Sequence, residues 1–116
     1  MQYALIICEK PGSYDGLSDD ERHAITDEYL AIRDDARVTG GARLRPPETA
    51  TTVRAADGGD TLTTDGPFAD TKEVFGGWFV VEADDLDSAL ELAGRIPAVR
   101  MGGCVEVRPL VELPYR

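Results

Sequence analysis

Residues 65–78 read DGPFADTKEVFGGW, and this stretch decides how the two halves of the chain are joined. Gly66 gives backbone freedom and Pro67 lacks an amide donor, so regular structure is predicted to stop at Asp65. The glycine pair at 76–77 is expected to let the chain turn sharply into the apolar run 78–81. The stretch is therefore interpreted as a loop held between two strands.

Side chains in this loop are mostly polar, with one exception. Phe68 is aromatic, and an aromatic residue in a polar loop favours its burial as an anchor. The residues after it supply two carboxylates, a hydroxyl and an ammonium group: Asp70, Thr71, Lys72 and Glu73. An anchored loop with these groups is a candidate binding or reacting edge.

Length and charge bound the class of protein. A chain of 116 residues, 42% of them hydrophobic, predicts one globular domain over residues 1–116 with a packed core. No apolar run approaches the roughly 20 residues of a membrane span, and the N-terminal run 3–8 indicates a strand rather than a signal peptide. With 22 acidic and 12 basic residues, the net charge of −10 argues against a nucleic-acid partner. We expect a cytoplasmic protein with no membrane contact.

Several kinds of chemistry lack their residues. Cys8 and Cys104 belong to no CxxC pair, so zinc and dithiol chemistry are not supported, and buried free thiols are expected. One histidine with scattered acids does not make a transition-metal site, and no Gly-x-Ser-x-Gly nucleophile motif occurs. We therefore expect no metal and no cofactor.

The first half of the chain predicts strand, helix and hairpin. Residues 3–9, in which the apolar residues are continuous rather than alternating, indicate a strand buried on both faces. Ser18 and Glu21 form a capping-box pattern, and apolar residues at helical spacing predict a helix to about Val38, ended by the glycines at 40–41. A short strand over 42–44 and a hairpin follow, with arms at 50–55 and 61–64 joined by DGGD.

The second half repeats the strand–helix–strand order. A buried strand is predicted over 78–83, and Asp84 or Asp85 caps a helix whose apolar face holds Leu86, Ala89, Leu90, Ala93 and Ile96. The last strand spans 104–108. Two such units in one domain predict an α+β fold of the ferredoxin-like kind, an antiparallel sheet with both helices on one face. The uncovered sheet face predicts a homodimer.

The chain resembles the DGPF family of bacteria, within the YCII-related proteins. Its signature is matched by DGPFADTKE at 65–73, and other segments are similar to the family: RPPETATTVR at 45–54, DDLDSAL at 84–90, RIPA at 95–98 and VEVRP at 105–109. The resemblance implies a dimeric α/β barrel of ferredoxin-like subunits. It implies no activity, because the family's chemistry is largely unassigned, although some members are linked to extracytoplasmic-function sigma factors.

Three residues depart from the family pattern. Asp70 stands where glutamate is usual, which keeps a carboxylate on a shorter side chain. Ala42 stands where many relatives carry an acid, so this chain lacks that acid. Trp78 replaces a smaller aromatic residue and would narrow an adjoining cleft.

His23 and Asp65 are the candidate catalytic residues. In the wider YCII group a histidine near this place has been considered part of a histidine–acid pair, and a histidine titrates near neutral pH. The alternative is a solvated helix histidine beside Asp27. Asp65 is a candidate base at a strand end, or else an acceptor for the amides of its own turn.

Phe68, Asp70, Thr71, Lys72 and Glu73 are the candidate substrate-binding residues. Lys72 would supply charge and Thr71 a hydroxyl, whereas the alternative is a loop that serves the dimer alone. We therefore expect a homodimer that binds a small polar molecule at the 65–73 loop and transforms it by acid–base chemistry if it is an enzyme. The alternative is a non-catalytic regulatory or protein-interaction module of a sigma-factor system.

Overall fold

The computed structural model describes residues 1–67 and 72–113. Within them the helices are α1 (Asp19–Arg33) and α2 (Leu86–Ala93). The strands are β1 (Gln2–Glu9), β2 (Val38–Arg43), β3 (Thr51–Ala55), β4 (Thr61–Asp65), β5 (Val74–Glu82) and β6 (Cys104–Pro109). Short 3₁₀ turns occupy Pro47–Thr49 and Pro97–Met101.

Four of the strands form the main sheet, in the order β2-β5-β1-β6, with every neighbouring pair antiparallel. Because β1 pairs with both β5 and β6, the two strand–helix–strand units interlock at the centre of the sheet. This order confirms the predicted ferredoxin-like α+β fold. The predicted hairpin is also confirmed, and β3 and β4 form a separate two-stranded sheet.

The start of α1 confirms the predicted capping box. Ser18 Oγ accepts from the Glu21 amide at 3.1 Å, and Glu21 Oε1 accepts from the Ser18 amide at the same distance. The helix ends at Arg33, so the predicted extension to Val38 is wrong. Asp35 Oδ1 accepts from the Arg37 amide at 2.9 Å, which turns the backbone out of the helix before β2 begins.

The core lies between the helices and one face of the main sheet. Leu5, Leu92, Ile96 and Val81 are its largest fully buried aliphatic side chains. Strand residues alternate between the two faces, so the residues directly before and after Leu5 face away from the helices. That second face, which we call the open face, carries Ile6, Trp78 and Val80, all half-buried.

The buried face of α2 differs from the predicted one. Ala89 and Ala93 are buried as expected, and Leu92 joins them, but Leu86 and Leu90 are each 47% exposed. The helix ends at Ala93, and the predicted face ran past that point. The predicted cap is confirmed at Asp85, whose side chain accepts from the Ser88 amide at 2.9 Å.

Glycines shape the edge where β2 pairs with β5. Gly41 has φ +142°, and a Cβ there would lie 2.3 Å from the Trp78 carbonyl oxygen. A Cβ on Gly77 would lie 2.6 Å from the Ala42 carbonyl oxygen. The predicted sharp turn at the second glycine pair is wrong, since β5 already begins at Val74. These glycines instead let two strands pair closely without side chains between them.

Candidate functional site

A cleft of about 430 Å³ opens between α1 and the β2–β5 edge of the sheet. Its walls come from α1, from β2, from the start of β5 and from the end of β1. The charged and large apolar side chains in these walls include Glu9, Tyr29, Leu30, Arg33, Arg43 and Phe79.

The sequence explains why space remains there. Ile25 and Ile32 are the buried residues of α1, whereas Thr26, Leu30 and Arg33 follow the cleft side of the helix. On the opposite wall, the glycines at 40–41 and 76–77 supply no side chains to fill the gap. A helix above a glycine-rich sheet edge therefore leaves an apolar hollow.

Tyr14 and Tyr29 meet beside the cleft. The Tyr29 hydroxyl is fully covered and has no hydrogen bond of acceptable geometry among the described residues, although Tyr14 and the backbone of Ala98 lie beside it. Burial raises the pKa of Tyr29 well above its usual value. Burial and then the Glu9 carboxylate raise the pKa of Tyr14, which Arg43 partly offsets. Both phenols are therefore neutral at physiological pH.

Arg43 and Glu9 bring opposite charges to the same place. The guanidinium carbon of Arg43 lies 5.5 Å from the centroid of the Tyr14 ring, within the range of a cation–π contact. Glu9 is half-buried, and its side chain lies against the backbone of Gly76. A Cβ on Gly76 would be 2.7 Å from Glu9 Cδ and from Oε1, so glycine at this position leaves room for the carboxylate.

A second depression, of about 400 Å³, adjoins the cleft and shares Glu9, Arg43 and Gly76 with it. Its other charged lining residues are Lys10, Asp15, Arg22, Arg45 and Glu48. The Arg22 side chain donates to the carbonyl oxygens of Tyr14 at 2.7 Å and Leu17 at 3.4 Å, so it serves the loop before α1. We call this depression the cationic depression.

The two predicted catalytic residues lie elsewhere. His23 is exposed on α1, and Asp65 is exposed at the end of β4. Neither belongs to the described walls of the cleft or of the cationic depression. The hairpin that carries Asp65 has its own anchor, in which Thr52 Oγ1 donates to the Gly66 carbonyl oxygen at 2.7 Å. The catalytic roles of both residues stay predictions.

The predicted binding loop is described in part. Phe68, Asp70 and Thr71 lie outside the described residues. Lys72 is exposed and Glu73 is half-buried, and neither belongs to the described walls of the two hollows. Glu73 Oε2 accepts from Cys104 Sγ at 3.4 Å. Their role in substrate binding stays a prediction.

The two cysteines are free, as predicted, but they are not both buried. Cys8 is half-buried and Cys104 is exposed, and the two are direct partners across β1 and β6. Although Cys104 as a residue is exposed, local desolvation and the contacts with Glu73 and Cys8 raise the pKa of its thiol to about 11. The thiol is therefore protonated at neutral pH.

Sequence reasoning missed Glu9, Tyr29 and Arg43 as site residues. Tyr29 belongs to the helical apolar spacing that predicts α1, and this spacing gives no sign of a role in a cleft. A charged residue at the end of a buried strand, as Glu9 is, was the available signal. Within residues 1–67 and 72–113, no group of three acidic, cysteine or histidine side chains is arranged to hold a metal ion. The same ranges contain no helix long and apolar enough to cross a membrane.

The chain is similar to a domain family, to a protein sequence and to a solved structure. The model of the YCII-related domain matches residues 1–114. An uncharacterised protein of Rhizobium meliloti (strain 1021) is 40% identical over 79 residues, which cover 63% of this chain and 63% of that protein. This chain thus matches less than two thirds of that relative's length.

A solved structure shares the fold. It is 5-chloro-2-hydroxyhydroquinone dehydrochlorinase from Burkholderia phenoliruptrix AC1100, in complex with 2,5-dihydroxybenzoquinone. The TM-score is 0.53 at 18% identity, over 96% of this chain and 94% of that one. At this identity the likeness concerns the fold alone. The match of the domain model to residues 1–114, almost the whole sequence, shows that the chain belongs to the YCII-related family.

Proposed function

We propose that this protein binds a small molecule in the cleft between α1 and the β2–β5 edge. The observation that carries the proposal is the cleft itself, about 430 Å³ in volume, with Glu9 and Arg43 at its junction with the cationic depression. Ligand sites commonly enclose ~300–1,000 Å³ and combine apolar walls with a few polar groups that fix orientation. The cleft has both properties.

A compact ring fits this space best. Tyr29, Leu30 and Phe79 are large side chains in the wall, and they offer flat or branched apolar surface to a planar molecule. The dehydrochlorinase that shares the fold was solved with a dihydroxybenzoquinone, a ring of this size. We therefore propose a small cyclic molecule with polar substituents as the ligand class.

Glu9 is the group through which acid–base chemistry would run in this proposal. Among the described residues of the cleft wall it is the one carboxylate, and general bases of this kind act within hydrogen-bond reach of the substrate. Asp65 would act there only if the 65–73 loop carried it to the ligand. His23 lies on α1 and would act there only from a second subunit. The loop residues 68–73 remain our proposed second contact with the ligand, in a chain we assign to the DGPF subfamily on its 65–73 signature.

We also propose that the protein is a homodimer in which two open faces meet. Ile6, Trp78 and Val80 are half-buried apolar residues on that face, and pairing two sheets would remove them from water. Light scattering after gel filtration tests this. Ile6→Glu should give monomers, while Leu90→Glu, at an exposed site on α2, should leave the dimer intact. A monomeric unsubstituted protein would refute the pairing.

The alternative function is a regulatory module of a sigma-factor system, which rests on the family resemblance. In that case the same cleft would sense a ligand without transforming it. A cytoplasmic location suits either function, and the two free cysteines support it.

A thermal-shift screen against a metabolite library tests the proposed site. A ligand at one hundred times its Kd should stabilise the protein by about 2.7 kcal/mol. Leu30→Trp, which fills the cleft, should abolish the shift, and Ala31→Trp, at an exposed neighbour on α1, should preserve it. A hit that survives Leu30→Trp but is lost in Asp65→Ala or Lys72→Ala would move the site to the 65–73 loop.

A further inference from the structure

We infer that the ligand of the cleft is an organic anion, whose charged group binds at Arg43 while its apolar body lies against α1. The inference rests on the proposed function, since it assigns the chemical class of the molecule bound in that same cleft. It comes from the distribution of charge around the junction between the cleft and the cationic depression.

Arg43 is placed to meet a molecule in either hollow. It lies at the end of β2 and lines both the cleft and the cationic depression. The Tyr14 ring beneath its guanidinium group restricts where the side chain can lie, so less freedom is lost when it binds. Its planar fork of donors matches a carboxylate or sulfonate better than a neutral group.

Four cations line the cationic depression, although the chain has a net charge of −10. Arg33, Arg37, Arg95 and Arg100 each form an ion pair with an acidic side chain. Lys10, Arg43 and Arg45 share the cationic depression, and none of them has an acidic partner within 4.0 Å in the described part of the chain. Three cations that form no ion pair with the described residues, gathered at one place, favour an anion from outside the chain.

Three acids also line this region, and they restrict where the charged group of an anion can bind. Asp15 and Glu48 line the cationic depression alone, whereas Glu9 reaches the cleft. Its carboxylate would repel an anion placed too close, and it would accept a hydrogen bond from a hydroxyl of the ligand. The ligand is therefore an apolar acid whose charged group lies on the Arg43 side of Glu9.

A neutral ligand should bind at this site more weakly than an anion. Arg43 is exposed, so water solvates its charge. A neutral apolar molecule that covered the guanidinium would remove that water without replacing its hydrogen bonds. An anion replaces them with charged ones, and it should bind about tenfold more tightly or better than its neutral analogue.

Two fluorescent probes with one ring system test the inference. 8-Anilinonaphthalene-1-sulfonate carries a sulfonate, and N-phenyl-1-naphthylamine is the same molecule without it. Fluorescence titration should give a Kd at least about tenfold lower for the sulfonate. Arg43→Gln should weaken the sulfonate about tenfold and change the neutral probe less than twofold. Arg43→Lys should retain part of the preference, and Arg95→Gln, just after α2 and outside the described walls of both hollows, should retain all of it.

Glu9→Gln gives the opposite sign, because it removes a negative charge beside the bound anion. It should strengthen sulfonate binding or leave it unchanged, and a clear weakening would overturn the proposed arrangement. Equal affinity for the two probes, or equal losses for both in Arg43→Gln, would overturn the anion assignment alone. If neither probe binds, or if both probes still bind to Leu30→Trp, the proposed binding site in the cleft is refuted together with the anion assignment.

Discussion

Two glycine-to-alanine substitutions at the same sheet edge should behave differently, although both added methyl groups meet atoms at short distance. In Gly41→Ala the Cβ would lie 2.3 Å from the Trp78 carbonyl oxygen, and in Gly76→Ala it would lie 2.7 Å from the end of the Glu9 side chain. The first obstacle is backbone in a paired strand, whereas the second is a flexible carboxylate.

The expected change in folding stability of each variant follows from this difference. Gly41→Ala holds alanine at φ +142°, which costs ~1–3 kcal/mol, and it forces β2 away from β5 as well. A total loss of about 3 kcal/mol is expected. Gly76 has no such φ. Alanine there should stabilise the protein by ~0.4–1 kcal/mol, because it lowers the entropy of the unfolded chain, and this gain offsets the cost of moving Glu9. Its net effect on stability should stay within about 1 kcal/mol.

Thermal unfolding followed by circular dichroism measures both. An unfolding entropy of about 2.1 cal/mol/K per residue over 116 residues means that 1 kcal/mol moves Tm by about 4 °C. Gly41→Ala should therefore lower Tm by about 12 °C, and Gly76→Ala by no more than about 4 °C. A ligand-binding defect in a stable Gly76→Ala would follow from displacement of Glu9. Equal losses of stability in the two variants would refute the reasoning.

Leu5→Ala should cost ~2–5 kcal/mol in urea unfolding, because Leu5 is fully buried at the centre of the sheet; a loss below 1 kcal/mol would contradict its place in the core. Arg37 lowers the pKa of Asp35. That stabilisation is present above the unfolded pKa, about 3.9, and is lost as pH falls toward the lower folded value. In urea unfolding measured at successively lower pH, Arg37→Ala should therefore remove this part of the acid dependence of stability. Alkylation of Cys104 by iodoacetamide, followed by mass spectrometry, should have a midpoint near pH 11, and Glu73→Gln should lower it. A midpoint at or below 9 in the unsubstituted protein would contradict the Cys104–Glu73 contact.

Features set by neighbouring residues could be predicted from the sequence. The Ser18–Glu21 capping box and the DGGD turn depend on local backbone geometry, and both are confirmed. The strand and helix order was sufficient for the ferredoxin-like sheet, because few topologies satisfy it. The end of α1 was mispredicted since the apolar spacing continues to Ala36, whereas the Asp35 side chain already turns the chain at that point.

The candidate site could not be predicted, because distant parts of the chain build it. Glu9, Tyr29 and Arg43 come from β1, α1 and β2, and no spacing in the sequence joins them. The cleft also depends on what is missing, namely side chains on the glycines of the β2–β5 edge. The glycines at 40–41, which lie in β2, predict the end of a helix from the sequence alone. That interpretation gives no sign of the hollow that these glycines leave.

The hairpin enters and leaves the main sheet at one point, because the Leu44 amide donates to the Gly76 carbonyl oxygen at 2.9 Å. The chain between these residues is thus a detour whose two ends are already neighbours. A short tight turn from β2 to β5 would close the same four strands without changing their register. The hairpin of β3 and β4 is therefore a removable module, and substitutions can accumulate in it while the four-stranded sheet keeps its shape.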